Sequence, residues 1–296
     1  MQDLGASAFD LAFRGRRVVR DRALVMAIVN RTPDSFYDRG ATFEEDAAKT
    51  AVERAVTEGA DVIDIGGVTA SPGAEVDADE EIRRVLPTVE WIKATYPDVL
   101  ISVDTWRHEV ADAVCRAGAD IINDAWGAAD PEILDVAATY SAGYICTHSP
   151  RTPRSVPVRS DYEDVVRDVV TATVRLAELA ESRGVPRAGI LIDGTGYGKN
   201  TTDHLTLVAR TEEIVAAGWP VLMALSNKTF VRESLDLDVA DRDELLTGTL
   251  AATALAARAG AAMFRVHQAL QTRRTLEMVA CINGTRTPAR AQEWIS

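Results

Sequence analysis

A chain of 296 residues that is 47% hydrophobic can bury a large core, and its length suits one α/β barrel as well as two smaller domains. The formal net charge of −13 leaves no basic footprint for nucleic acid or an anionic membrane surface, so any anionic ligand has to be drawn by local cations. Three widely spaced cysteines without a C-x-x-C pair, Cys115, Cys146 and Cys281, argue against a disulfide scaffold or a zinc site and read as packing residues in a reducing compartment.

From the N-terminus, residues 1–22 show no continuous apolar segment and no small-residue cleavage site, and nowhere does the chain approach the ~18 apolar residues of a membrane span. A cytoplasmic protein is expected. Residues 9–20 (FDLAFRGRRVVR) alternate around Arg14-Gly15 and predict a hairpin able to plug one end of a barrel. Eight short apolar runs follow: 24–30 (LVMAIVN), 61–67 (DVIDIGG), 100–105 (LISVDT), 120–124 (DIIND), 143–148 (GYICTH), 189–193 (GILID), 221–226 (VLMALS) and 263–267 (MFRVH). Amphipathic stretches lie between them, with helices predicted over 44–58, 79–95, 109–117, 162–183 and 242–259, and G-A-D or G-W-P turns reset the chain before several runs. Eight βα units predict a closed (β/α)₈ TIM barrel. One domain is expected over 1–296, with an N-terminal hairpin segment at 1–22, the barrel at 23–283 and a tail at 284–296.

In such a barrel the strand C-termini converge on one mouth, where substrates bind. The mouth receives Asn30, Asp64, Asp104, Asn123, His148, Asp193, Ser226 with Lys228, and Arg265 with His267. Asp104, Asn123 and Asp193 offer acceptors for a neutral heterocycle rich in N–H donors, and the Asn123 amide can also donate. Lys228 can donate to a ring carbonyl or nitrogen, and the Arg265 guanidinium can stack on a flat ring or clasp an anion. Asn30, Arg265 and His267 suit phosphate oxygens and a hard cation such as Mg²⁺.

Residues 194–199 (GTGYGK) mimic a phosphate loop, but the spacing is wrong and Asn200 follows the lysine, so neither a Walker A nor a dinucleotide motif is present. The irregular stretch 149–161 (SPRTPRSVPVRSD) carries three prolines and four arginines and falls on the mouth side, where loops also form lids.

Between about residues 25 and 280 these segments resemble the dihydropteroate synthase family of pterin-binding barrels. The resemblance is carried by Met26 to Phe36 (MAIVNRTPDSF), Asp64-Ile65-Gly66-Gly67 with Pro72-Gly73-Ala74, Ser102-Val103-Asp104-Thr105, Ile122-Asn123-Asp124, Ser226-Asn227-Lys228-Thr229-Phe230 and Arg265-Val266-His267. It implies that Asp104, Asn123, Asp193 and Lys228 hold a pterin, that Arg265 packs on its ring, and that Asn30, Arg265 and His267 bind diphosphate and Mg²⁺, with Asn30 on the metal. Asn30, Lys228, Arg265 and His267 are then the catalytic set. The family joins p-aminobenzoate to 6-hydroxymethyl-7,8-dihydropterin diphosphate, expelling pyrophosphate. A small-molecule pterin, p-aminobenzoate or sulfonamide-like analogues, and a homodimer through the last helices are the implied partners.

The loops expected to receive the second substrate carry Phe36, Ala70, Ser71, Pro72, Tyr197 and Thr229, and among the mouth segments those at 66–73, 147–149 and 193–199 depart from the family pattern. Where the family reads Gly-Gly-Glu-Ser-Thr-Arg-Pro-Gly, this chain has Gly66-Gly67-Val68-Thr69-Ala70-Ser71-Pro72-Gly73, replacing the Thr and Arg by Ala70 and Ser71. Losing one charged donor to a leaving group costs ~2.7–4 kcal/mol of barrier, or about 10²–10³ in rate. The pattern resembles the divergent second paralogue of some actinobacteria, for which weak or absent synthase activity is expected. Three functions are therefore set against one another: a pterin-binding homologue with little turnover, an active synthase, and a pterin-dependent methyltransferase. The last is disfavoured by the Ser226-x-Lys228 and Arg265-x-His267 pairs. Arg31 and the arginines of 149–161 are extra cations on mouth loops that could replace the missing one.

Overall fold

The computed structural model describes residues 11–32, 42–150, 152–155, 161–238 and 240–290. The chain opens with an antiparallel hairpin of β1 (Leu11–Phe13) and β2 (Arg16–Val18), turned by Arg14 and Gly15 at φ 50° and 74°. Two successive positive φ values are what a tight two-residue hairpin turn demands, which accounts for the glycine. Residues 9 and 10 of the predicted hairpin lie outside the described residues.

The eight apolar runs become β3 (Leu24–Asn30), β4 (Val62–Gly66), β5 (Leu100–Asp104), β6 (Ile121–Asp124), β7 (Gly143–Thr147), β8 (Ile190–Asp193), β9 (Val221–Met223) and β10 (Met263–Val266). They pair in parallel in chain order, and β10 returns to β3, closing the barrel. Around it run α1 (Glu45–Thr57), α2 (Ala78–Thr95), α3 (His108–Ala117), α4 (Ile133–Tyr140), α5 (Val165–Ser182), α6 (Thr201–Ala209), α7 (Thr211–Val215), α8 (Thr229–Leu235), α9 (Arg242–Arg258) and α10 (Ala269–Asn283). The (β/α)₈ expectation holds, and among the described residues no helix is long and apolar enough to cross a membrane.

Boundaries differ where side chains capture the backbone. The helix expected from residue 162 begins at Val165, because the Asp164 carboxylate accepts from Val166 N and Arg167 N and so caps it. The strand expected to reach Ser226 stops at Met223, and Asn227 turns the chain in the left-handed region at φ 55°.

Side chains alternate along each strand, and the alternation separates two cores. Outward members such as Val25, Ile63, Ile101 and Ile122 pack under the helices. Inward members, Leu24, Met26, Val62, Leu100, Ile121, Ile145, Leu191, Leu222 and Met263, fill the barrel together with Leu11 and Phe13 of the hairpin. The plug is real: Phe13 is fully buried, and a Cβ on Gly143 would collide with its ring. Phe13→Ala should therefore cost about 3–5 kcal/mol, read as a lowered denaturant midpoint, whereas truncating the exposed Val19 should leave the midpoint unchanged.

Candidate functional site

The same two-residue period that sends apolar side chains inward at the barrel floor sends polar ones inward at the strand C-termini. Asp64 follows Val62, Ser102 and Asp104 follow Leu100, Asn123 follows Ile121, Asp193 follows Leu191, and Arg265 follows Met263. Asp64 is fully buried and central to them. It accepts from Ser102 Oγ at 2.6 Å, from Asn123 Nδ2 at 3.3 Å on both oxygens, and from Arg265 Nε at 2.7 Å. Arg265 completes a fork by donating from Nη2 to Asp104 Oδ2 at 2.9 Å. Burial opposes the Arg265 charge, but Asp64 and Asp104 outweigh it and the pKa is raised. Burial pushes the Asp104 carboxyl up, to about 7, with Arg265 pulling it down and the carboxylates of Asp64, Glu81 and Asp124 adding to the rise.

Across the mouth, Asp193 organises the loop after β8. Its oxygens accept from Thr195 N at 2.8 Å, Thr195 Oγ1 at 2.6 Å and Gly196 N at 3.1 Å. Gly196 sits at φ 60° against the His148 carbonyl, where a Cβ would clash. Lys228 donates to Gly196 O at 3.3 Å, and burial lowers its pKa although Asp193 opposes this. Lys199 Nζ lies 2.7 Å from His148 Nδ1. Burial is the leading cause in both, bringing Lys199 down to about 7 and His148 to about 4. His267, 3.0 Å from Ser226 Oγ through Nδ1, is lowered to about 3 by burial and then by Arg265, so it is a neutral imidazole.

These walls enclose a cavity of about 350 Å³. Asn30, Asp104, Lys228, Arg265 and His267 line its inner part, while Ala70, Ser71 and Pro72 line it from the β4–α2 loop and Tyr197 and Thr229 from two others. The structure thus brings eleven of the expected residues, Ser226 among them, to one cavity. Asn123 and Asp193 lie beneath the wall, 5% and 6% exposed, and act on the site through Asp64 and the 194–196 loop. Phe36 is outside the described residues. A second cavity, of about 340 Å³, lies at the other end between residues 20–23 and α9 and α10 and contains none of the expected site residues.

Three features of the site depend on contacts that residue spacing does not reveal. The sequence puts Asp64 at the mouth, but its role as the common acceptor needs the strand register, which sets Asp64 beside Ser102 and Asp104 beside Asn123. Tyr197 stacks on Trp126, with centroids 5.2 Å apart and planes 6° from parallel, and Trp106 meets Trp126 edge-on at 6.2 Å, so aromatic side chains from three loops brace this wall. Arg31, a candidate to swing over an anion, is 8% exposed and donates to Arg84 O at 3.0 Å and Thr42 O at 3.4 Å, so its side chain is held in a buried position.

Residues 26–267 match the family described as "Pterin binding enzyme". The chain belongs to the pterin-binding enzyme family. Among members of this family, it is 56% identical over 282 residues to a Mycobacterium leprae (strain TN) protein named "Inactive dihydropteroate synthase 2", covering 93% of this chain and 96% of that one. The solved structure of Mycobacterium tuberculosis Rv1207 is 46% identical, with a TM-score of 0.72 over 94% of this chain and 99% of that one. The dihydropteroate synthase from Xanthomonas albilineans in complex with 7,8-dihydropteroate is 33% identical, with a TM-score of 0.78 over 92% and 98%.

Removing Asp64 strands the buried end of Arg265, so Asp64→Ala should cost about 3–5 kcal/mol in denaturant unfolding, and the double variant with Arg265→Leu should recover part of that loss. The histidines make a pH prediction. His148, His204 and His267 are held neutral by burial, at about 4, 3 and 3, below the ~6.5 of an unfolded chain. The unfolded state therefore takes up protons first, and stability should fall as pH drops from about 6.5 toward 4. Thermal melts across this range should show a shallower decline for His204→Gln than for the unmodified protein.

Proposed function

We propose that the barrel mouth binds a 6-hydroxymethyl-7,8-dihydropterin diphosphate-like ligand and that the protein has weak or no dihydropteroate synthase activity. The observation that carries this reading is one cavity whose inner wall is Asn30, Asp104, Lys228, Arg265 and His267, and whose outer wall is Ala70 and Ser71 where the synthase pattern has Thr and Arg. The name of the Mycobacterium leprae relative supports it. In this reading Asp104 takes the N–H edge of the pterin, backed by Asn123 through Asp64 and by Asp193 through the 194–196 loop, Lys228 gives to its ring, and Arg265 packs on its face while reaching the diphosphate with His267. Arg265 is already aimed by Asp64, so it reorients little on binding.

Asn30 fits a role on Mg²⁺: its amide lines the cavity and makes no hydrogen bond to the described residues, leaving a hard oxygen donor beside the expected phosphates. A bound Mg²⁺ would neutralise charge on the diphosphate. Synthase chemistry also needs a cation near the departing pyrophosphate and a slot holding the aryl amine of p-aminobenzoate, or of a sulfonamide-like analogue, at the reacting carbon. Ala70 and Ser71 supply neither the hydroxyl nor the guanidinium.

Titration with 6-hydroxymethyl-7,8-dihydropterin diphosphate should show binding, while pyrophosphate release with p-aminobenzoate stays at least about a hundredfold below that of an authentic synthase. The double substitution Ala70→Thr with Ser71→Arg should raise turnover by about 10²–10³. Turnover within tenfold of an authentic synthase in the unmodified protein would instead establish the active-synthase reading.

We place the protein in the cytoplasm as a homodimer. Leu255 on α9 and Met278 and Ile282 on α10 are 64%, 59% and 63% exposed, an apolar group on two adjoining helices that a second copy would cover. Sedimentation should give a dimer, and Met278→Glu with Ile282→Glu should shift it to monomer.

A further inference from the structure

Among its described residues, the loop between β7 and α5 brings one guanidinium to the rim at Ser71. Thr152, Pro153, Arg154 and Ser155 form a turn in which Ser155 donates to Thr152 O from N at 3.2 Å and from Oγ at 2.8 Å. Proline fixes φ near −65° at the first central position, so φ 57° at Arg154 makes this a type II turn, whose second central position ordinarily takes glycine or asparagine. A long cation is a poor local choice there, and what it gains is contact with the facing loop. Arg154 Nη1 donates to Ala74 O at 2.7 Å and Nε to Ser71 O at 3.3 Å.

Among the described residues, the other arginines around the mouth are paired with carboxylates or buried. Arg265 holds Asp64 and Asp104, Arg107 pairs with Glu81, Arg84 with Glu80, and Arg31 is buried at 8% exposure, whereas the bonds of Arg154 are exposed. Arg154 rests on two neutral carbonyls and has no carboxylate partner among the described residues. Two of its five N–H groups are engaged, and Nη2 makes no bond to the described residues, leaving donors for the oxygens of an anion. The residue whose carbonyl it grips, Ser71, lines the cavity and stands where the family pattern has arginine.

We propose that Arg154 is the anion-anchoring residue of this site: it returns through space, from the β7–α5 loop, the guanidinium missing from position 71, and it pairs with the phosphate oxygens of a diphosphate-bearing pterin. This rests on the pterin diphosphate reading for the ligand's identity, but its chemistry is that of any diphosphate at the rim. A cation supplied from the facing loop anchors the anion without restoring at position 70 the threonine that the family pattern places on the second-substrate slot, so tight binding and slow turnover can coexist.

The test is calorimetric titration of the full chain and of Arg154→Ala, Arg154→Lys and Arg154→Gly, in Mg²⁺, with inorganic pyrophosphate, with 6-hydroxymethyl-7,8-dihydropterin and with its diphosphate. Arg154→Ala should weaken pyrophosphate and pterin diphosphate about tenfold to a hundredfold, the range expected for one charge-assisted contact. The diphosphate-free pterin should bind unchanged. Arg154→Lys should recover part of the loss. Arg154→Gly, which suits the turn, should behave like Arg154→Ala and so assign the loss to the guanidinium. Unchanged affinity for both phosphate ligands, an equal loss for the diphosphate-free pterin, or no pyrophosphate binding by the unmodified protein would each overturn the proposal. Arg154-dependent pyrophosphate binding without any pterin binding would leave it standing and refute the pterin reading instead.

Discussion

Arg265 lies with Nε on Asp64 and Nη2 on Asp104, and the rest of the mouth is arranged around that fork. A guanidinium at this depth needs acceptors that are themselves held, because a buried charge with a loose partner costs more than it returns. Ser102 and Asn123 hold Asp64, and the parallel register of β4, β5 and β6 sets Asp64, Ser102, Asp104 and Asn123 side by side. The barrel must close for this to happen, since Arg265 comes from β10 and reaches acceptors on β4 and β5 across the β3 seam.

The opposite end of the barrel is filled by apolar side chains. The inward side chains of the eight strands form a narrow apolar column, and Leu11 and Phe13 of the hairpin cap it. Apolar residues fill the lower barrel and ionic ones the upper, so the polar group sits on a dry, rigid floor with water only from the mouth. That environment keeps His267 neutral and lifts Asp104 to about 7. Removing water strengthens each remaining contact to a bound ligand.

The loops tell a different story from the strands. The residues that resemble the synthase pattern are attached to the barrel ends, while the departures at 70 and 71 fall on a loop that only borders the cavity. A barrel of this kind can lose a second-substrate wall and keep its first-substrate pocket, because the strand ends do not depend on the loop for their positions. Stacking of Tyr197 on Trp126 and the grip of Arg154 on Ser71 and Ala74 show that the altered rim is nonetheless built, with contacts of its own.

Eight apolar runs separated by amphipathic stretches determined the barrel, since only alternation and short turns are needed to specify parallel βα units. The polar residue closing each run determined the chemistry of the mouth, because strand C-termini must converge there. Both properties are local and periodic, and so were legible in order along the chain. Tertiary structure decided what depends on contacts between distant segments: that Asp64 rather than Asp104 is the shared acceptor, that Asn123 and Asp193 support the cavity from below, that Arg31 turns away, and that Arg154 arrives at Ser71 from 83 residues further along. Strand register and loop crossing set these, and neither has a signature in the spacing of residues along one chain.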